Sequence, residues 1–240
     1  MDRFNARDLV VETKPDLTPV SDADKAVEQM IRDLVAAERP DQGVLGEEFP
    51  ELVGSSGLRW IVDPIDGTKN FVRGVPVWAT LIGLAVDDEI TVGVVSAPML
   101  NRRWWAAKGS GAWTGRSLSS ARRLSVSRVA RVEDASLSYS SLESWEDLGR
   151  GESFRALSRG VWRSRAYGDF WSHMMVAEGC VDIAPEPALN LWDMAALVPV
   201  VEEAGGRMTD WSGEPALQGD CALTSNGLLH DEVLARLRHG

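Results

Sequence analysis

Six residues, Asp63-Pro64-Ile65-Asp66-Gly67-Thr68, constrain this chain more than any other segment. They follow the apolar run Trp60-Ile61-Val62, and Leu58 to Val62 reads as a buried strand that stops at Pro64. Two carboxylates, a glycine and a hydroxyl thus stand where a strand gives way to a loop. Hard divalent cations favour such oxygens, and Mg2+ takes a few carboxylates with water and substrate phosphate. The carbonyl of Ile65 is a further candidate ligand. Gly67 lets the backbone approach a phosphate, and the amides of Gly67 and Thr68 would cap the anion at a short helix N-terminus. Taken alone, Asp-Gly also fits an ordinary solvated turn. Two more acidic elements occur: Gly46-Glu47-Glu48 after Val44-Leu45, and Trp192-Asp193-Met194-Ala195-Ala196. Each has a plain explanation by itself, a surface acidic pair and a carboxylate offsetting a helix dipole. Their joint occurrence points to one site that holds Mg2+ beside a phosphate ester.

The chain of 240 residues, 44% hydrophobic, fits one large globular unit or two lobes sharing an interface. A net charge of -11 argues against nonspecific binding to nucleic acid or to an anionic membrane. It also repels a phosphate ester, a conflict that bound cations would resolve locally. Cys180 and Cys221 form no metal-ligand pattern and are expected to be small buried residues in a reducing compartment. The charged N-terminus carries no apolar signal region, and no run approaches a membrane span, so a soluble, cytoplasmic protein is expected.

Residues 9–20 read as loop or extended chain, interrupted by Pro15 and Pro19. Ser21 reads as an N-cap with Asp24 at the third helical position. Ala23, Val27, Met30, Ile31, Leu34 and Val35 mark the apolar stripe of a helix ending before Pro40. Residues 80–86 and 90–96, joined by Asp87-Asp88-Glu89, read as a hairpin, with further strands over 103–107 and 122–126. A short helix is expected at Thr68. Beyond residue 130, strands are expected over 135–140, 181–184 and 222–224. Helices are expected over 154–159, 170–179, 192–204 and 228–237, the third closed by Gly205-Gly206. This predicts a layered α/β architecture in two lobes, 1–130 with the metal-binding loops and 131–240 completing the site.

With these motifs in this order, the chain resembles the inositol monophosphatase-like family of Mg2+-dependent, lithium-sensitive phosphatases over essentially its whole length. The likeness rests on Gly46-Glu47-Glu48, on Asp63 to Thr68 with Asn70-Phe71, and on Trp192 to Ala196 with Glu203-Ala204-Gly205-Gly206. The resemblance implies an αβαβα sandwich like that of the fructose-bisphosphatases, two or three Mg2+ ions and a homodimer. It implies metal ligation by Glu47, Asp63, the Ile65 carbonyl, Asp66 and Asp193, with Asp63 bridging two ions. Asp24, in the loop Asp16 to Asp24, would pair with Thr68 to orient and deprotonate the attacking water, with Glu47 beside them. Lys14 falls where a mobile catalytic loop is expected. No phosphoenzyme is implied. His173, His230 and His239 lie in no motif of the family and are expected to be structural or superficial. Relatives carry a longer first helix before Thr13, of which Phe4 to Val10 would be a remnant, with weaker helix packing or subunit contact expected. Trp78, Trp104, Trp105 and Trp113 are expected in the core or at an interface.

The ester is read from Arg165-Ala166-Tyr167-Gly168-Asp169-Phe170-Trp171 and from Ala184 to Asn190. Inositol phosphatases carry small residues after the glycine of the first segment. Here a carboxylate and two aromatics stand there, which suits a cationic planar group better than a polyol. Glu186 matches a position that contacts the polar end of the substrate. With Asp66, Gly67, Thr68 and Asp193 at the phosphate end, Asp169 and Glu186 would make the other end negative. This combination is similar to the histidinol-phosphate phosphatase branch of the family, as are Thr13 to Val20 and Asn70 to Trp78. The alternatives are an inositol-1-phosphatase and a 3'-phosphoadenosine 5'-phosphate phosphatase, whose loop Asp16 to Asp24 also resembles. A bisphosphate would want basic residues opposite the metals, and Arg163 and Arg165 are the candidates. A catalytically silent binding protein on the same fold would show a lost ligand, and every expected one is present.

Overall fold

The computed structural model describes residues 1–15 and 18–238. Strands β1 (Val11–Thr13) and β2 (Pro19–Ser21) pair as a small antiparallel hairpin, and α1 (Asp22–Glu38) follows. Ser21 caps α1: its hydroxyl accepts from Ala23 N–H, and Asp24 at the third helical position returns a bond to the Ser21 amide. Seven strands then form one sheet in chain order: β3 (Gly43–Gly46), β4 (Leu58–Asp66), β5 (Ala79–Val86), β6 (Glu89–Ala97), β7 (Arg102–Ala107), β8 (Ala112–Gly115) and β9 (Arg122–Arg123). β3 and β4 run parallel and the later pairs antiparallel. The short α2 (Thr68–Val72) lies between β4 and β5.

The remainder of the chain builds a second sheet. Its elements are β10 (Ser136–Ser138), α3 (Leu142–Asp147), α4 (Gly151–Gly160), β11 (Arg163–Arg165), α5 (Asp169–Ala177), β12 (Ile183–Glu186), α6 (Leu191–Ala195), α7 (Leu197–Glu203), β13 (Arg207–Thr209), β14 (Ala222–Ser225) and α8 (His230–Arg238). The strand order is β11-β10-β12-β14-β13. α5 and α7 fill the space between the two sheets, where Phe170, Met174, Val200 and Val201 pack on Leu81, Val95 and Trp104 of the larger one. On the outer face of the smaller sheet, Phe154, Leu157, Val233 and Leu237 of α4 and α8 cover Leu137, Ile183 and Leu223. With α1 on the far side of the larger sheet, the layers run αβαβα.

Two details of this packing place the site. β4 does not stop at Pro64. Asp63 pairs with Leu81 and Asp66 with Ala79, so β4 carries one extra residue against β5. Side chains alternate along a strand, and residues three apart would face opposite ways. The bulge restores the parity and turns Asp63 and Asp66 to the same face. The second detail is a paired glycine. Gly83 of β5 lies opposite Gly93 of β6, and the turn from α6 into α7 rests on both. A Cβ on Gly83 would sit 2.8 Å from Ala195 Cβ, and one on Gly93 would overlap the carbonyl oxygen of Ala196.

Several expectations need correction. The helix expected over 192–204 is two helices meeting at Ala196. Pro199 has no N–H to donate to the carbonyl of Ala195, so the helix cannot run through. Met30 and Leu34 of the expected apolar stripe are 64% and 59% exposed, because α1 buries only Ala23, Asp24, Glu28 and Val35. The strand expected over 122–126 is the two-residue β9, since Val126 N–H instead binds Ala204 O. Phe4 to Val10 contains turns rather than helix, and Phe4 packs on Phe71 and Trp78 at ring separations of 5.4 and 5.6 Å. Cys180 is exposed and Cys221 buried, both as free thiols. Strands β1, β2, β3, β8, β11 and β13 add to those expected from periodicity. His239 and the loop residues Asp16 and Leu17 lie outside the described residues. Among the described residues no helix is long and apolar enough to cross a membrane.

Candidate active site

Three carboxylates converge where the bulge of β4 meets α6. Asp63, Asp66 and Asp193 bring oxygens within 4.8 Å of one another. Asp63 is fully buried and accepts from Ile65 N–H at 2.9 Å. Asp66 Oδ2 accepts from Phe170 N–H at the start of α5, at 2.7 Å. Asp193 is the third residue of α6, and its Oδ2 accepts from the capping residue Asn190 at the backbone N–H, 2.7 Å. Burial is the main force raising the pKa of all three, and for Asp63 and Asp66 the neighbouring carboxylates add to it and hold the groups well above their usual range.

This arrangement fits a hard divalent cation. The donors are all oxygens, with Ile65 on the same cavity wall, and among the described residues no lysine or arginine forms an ion pair with the trio. Glu47 lies on the same cavity, outside the trio. Its Oε1 and that of Glu48 each receive Lys14 Nζ at 2.7 Å. The Gly46-Glu47-Glu48 segment is itself held from below. Buried Glu28 accepts the Glu48 amide at 2.7 Å and pairs with Arg32 at 2.8 Å, and it packs so closely on Gly46 that no Cβ would fit there.

The Asp24 and Thr68 pairing expected from the resemblance is present in the structure. Thr68 Oγ1 lies 3.1 Å from Asp24 Oδ1 and 2.9 Å from the Ile65 carbonyl. The other Asp24 oxygen is occupied by the Ser21 amide and hydroxyl, so the capping and pairing roles fall on different oxygens of one buried carboxylate. Gly67 precedes α2 with φ 83°, and a Cβ there would press within 3.1 Å of Val77 O and 3.2 Å of Asp169 Oδ2.

Two hollows meet at these residues. One, of about 240 Å3, is lined by Glu47, Asp63, Asp66, Thr68 and Asp193 among others. The second, of about 190 Å3, shares Asp66, Asp169 and Asp193 with the first and adds Glu186, Phe170 and His173. Burial raises Asp169 to about 6 and Glu186 to about 8. Asp24 stands behind Thr68, and Glu47, Asp63, Ile65, Asp66, Gly67, Thr68, Asp169, Glu186 and Asp193 each line one hollow or the other. Trp171 does not: it packs on Tyr167 at 5.8 Å. Arg163 and Arg165 lie exposed on edge strand β11 and line neither hollow.

Sequence reasoning gave no role to two residues that organise this end. Ser140 Oγ accepts from Asp169 N–H at 2.9 Å and donates to Glu186 Oε2 at 2.6 Å. Asn70 Nδ2 donates to Asp169 Oδ2 at 2.9 Å and to Val77 O at 3.0 Å. Ser140 has no local signal, because its partners lie 29 and 46 residues away and meet only through the pairing of β10 with β12. His173 lines the second hollow, yet its Nδ1 pairs with Thr224 Oγ1 at 2.8 Å, as befits a structural residue.

Comparison with known proteins gives a consistent result. The model of the inositol monophosphatase family matches residues 1–239. A histidinol-phosphatase of Streptomyces coelicolor is 58% identical over 99% of this chain and 90% of its own length. One of Mycobacterium tuberculosis is 58% identical over 99% of this chain and 92% of its own. The solved structure of the extragenic suppressor protein suhB from Bartonella henselae superposes with a TM-score of 0.90, at 32% identity, covering 100% of this chain and 92% of that one.

Proposed function

The chain belongs to the inositol monophosphatase family and is a phosphatase, and we propose that its substrate is histidinol phosphate, hydrolysed to histidinol and phosphate. The observation that carries this reading is the joined pair of hollows. One end gathers Asp63, Asp66 and Asp193, and the other holds two further carboxylates, Asp169 and Glu186. A phosphate group and a cationic group at opposite ends of one small molecule suit that division of charge. Histidinol phosphate carries its ammonium and imidazole away from its phosphate. The identity to relatives named histidinol-phosphatase supports the same choice.

Glu47, Asp63, Asp66, Asp193 and the Ile65 carbonyl would hold two or three Mg2+ ions. Bound Mg2+ supplies the positive charge that offsets these carboxylates and polarises the phosphate oxygens. The chain contributes the rest. The backbone at Gly67 and Thr68 receives the phosphate at the start of α2. Thr68 Oγ1 orients the attacking water, and Asp24 Oδ1 behind it is the base that draws the proton away through the hydroxyl. Asn70 and Ser140 hold Asp169 and Glu186 toward the cationic end.

The test is phosphate release with Mg2+ from histidinol phosphate, inositol 1-phosphate and 3'-phosphoadenosine 5'-phosphate, compared as kcat/KM. Histidinol phosphate is expected to lead by at least about 100-fold, the order that buried charge pairing provides. A lead for inositol 1-phosphate would keep the metal end and overturn the assignment of Asp169 and Glu186. The bisphosphate is disfavoured by the exposed position of Arg163 and Arg165, which leaves Lys69 as the basic residue lining the hollows among the described residues.

A further inference from the structure

A cleft of about 460 Å3 opens beside β7 and β8, lined by Asn101, Arg102, Thr114, Arg116, Ser120 and Arg122 among others. A smaller hollow of about 190 Å3 shares Asn101, Arg102 and Arg116 and adds Arg103. Three arginines thus line the cleft and a fourth, Arg103, the hollow beside it, on a chain of net charge -11. No lining residue is shared with the two hollows of the candidate active site.

The charge here is poorly balanced. Glu178 is the carboxylate that answers it, receiving Arg102 Nη1 at 3.0 Å, Arg122 Nη2 at 3.7 Å and the indole N–H of Trp104 at 2.7 Å. Among the described residues, no carboxylate pairs with Arg103 or Arg116. Neutral oxygens position them instead. With its amide turned so that the oxygen faces the guanidinium, Asn101 accepts from Arg116 Nη2 at 2.8 Å and Nε at 3.1 Å. Arg103 Nη1 donates to the Arg116 carbonyl at 3.0 Å. Neutral acceptors fix a guanidinium without discharging it, and the remaining N–H groups keep the planar fork that matches phosphate oxygens. The cleft is in the size range of small-molecule sites, roughly 300–1,000 Å3, and larger than one phosphate needs.

We propose that this cleft, with the adjoining hollow, is a second, non-catalytic anion site that binds a small molecule bearing two or more phosphoryl groups, held by Arg116, which lines both, with Arg103 on the hollow side and Arg102 and Arg122 on the cleft. The test is calorimetric titration of the full chain with pyrophosphate and, in parallel, with inorganic phosphate, at constant ionic strength. It is run with chelator, where the catalytic carboxylates repel anions, and repeated with Mg2+. With chelator, one pyrophosphate per chain is expected, bound at least about tenfold more tightly than phosphate. A double variant, Arg103→Ser with Arg116→Ser, is expected to lose at least about tenfold in pyrophosphate affinity while its Mg2+-dependent phosphate release stays unchanged. Asp193→Asn is expected to keep the binding. The proposal is overturned by an absence of saturable binding with chelator, by equal binding in the double variant, or by loss in Asp193→Asn. It is also overturned if the double variant changes the sedimentation of the chain while pyrophosphate leaves wild type unaffected, which would make the cleft a contact between copies.

Discussion

The backbone N–H of Phe170 donates to Asp66 Oδ2 at 2.7 Å, a bond that joins the two ends of the candidate site across 104 residues of sequence. One residue earlier, the N–H of Asp169 goes to Ser140. Gly168 and Asp169 both take positive φ, 84° and 49°, and this turn sends consecutive amides to different partners. The first amide holds Ser140, whose hydroxyl in turn donates to Glu186, and the second holds Asp66 of the acidic trio. On the proposed reading, one turn at the start of α5 sets both phosphate position and substrate choice.

Asp66→Asn separates the electrostatics of this site from its architecture. The amide oxygen can still accept from Phe170, while one of three crowded charges is removed. The metal-free variant is expected to melt a few degrees higher than wild type, since roughly 1 kcal/mol of relieved repulsion moves a domain of this size by about 2–4 °C. Mg2+ should raise the Tm of wild type and not that of the variant. Phosphate release should fall by at least about 1,000-fold. A metal-free Tm lower than that of wild type would show that the ionised carboxylate is needed to hold α5.

Thr68 and Asp24 are expected to act as one unit. Thr68→Ala and Asp24→Asn should each lower kcat by roughly 100- to 10,000-fold, the range of positioned proton transfer, with little change in KM. The double variant should be scarcely worse than either single one, because each removes the same relay. Additive losses in the double-variant cycle would mean that the 3.1 Å contact is incidental to the chemistry.

The acidic cluster was legible in the sequence because its members fall in short contiguous motifs, and the structure brings Asp63, Asp66 and Asp193 together in one place. The geometry that makes it possible was not legible. Asp-x-x-Asp in a regular strand would face two ways, and only the pairing of Leu81 and Ala79 with β4 shows the extra residue that turns both inward. The break at Ala196 had a visible cause in Pro199, which a reading by apolar periodicity passes over. Ser140 could not be found at all, as its partners are set by sheet order rather than by neighbours in the chain.

The glycine pair on the larger sheet makes a prediction that no motif suggests. Gly93→Ala places a methyl group on the carbonyl of Ala196, so α6 and α7 must lift from β5 and β6. Overpacking of this kind costs about 1–3 kcal/mol, measurable as a lowered urea midpoint. Because Asp193 rides on α6, Mg2+ affinity should weaken in the same variant. Lost stability with unchanged Mg2+ affinity would show that the sheet relaxes instead of the helix.

The two described histidines should make stability depend on pH independently of the metal. His173 and His230 are buried, and burial lowers each from 6.5 to about 4. His230 holds Thr209 Oγ1 at Nε2 and Ser225 Oγ at Nδ1, each at 2.8 Å, an arrangement that suits the neutral ring. Between pH 6.5 and 4 the unfolded chain binds protons that the folded chain refuses, so stability is full above 6.5 and is lost as pH falls. By pH 5 each histidine costs about 2 kcal/mol. The carboxylates with raised pKa work in the opposite direction, since the folded chain takes up their protons first. The histidine contribution is therefore read as a difference: Tm is followed from pH 7 to 5 in wild type and in His230→Gln, both with chelator. The variant starts less stable and is expected to lose fewer degrees over the interval. Parallel curves would show that His230 takes up its proton within the folded core.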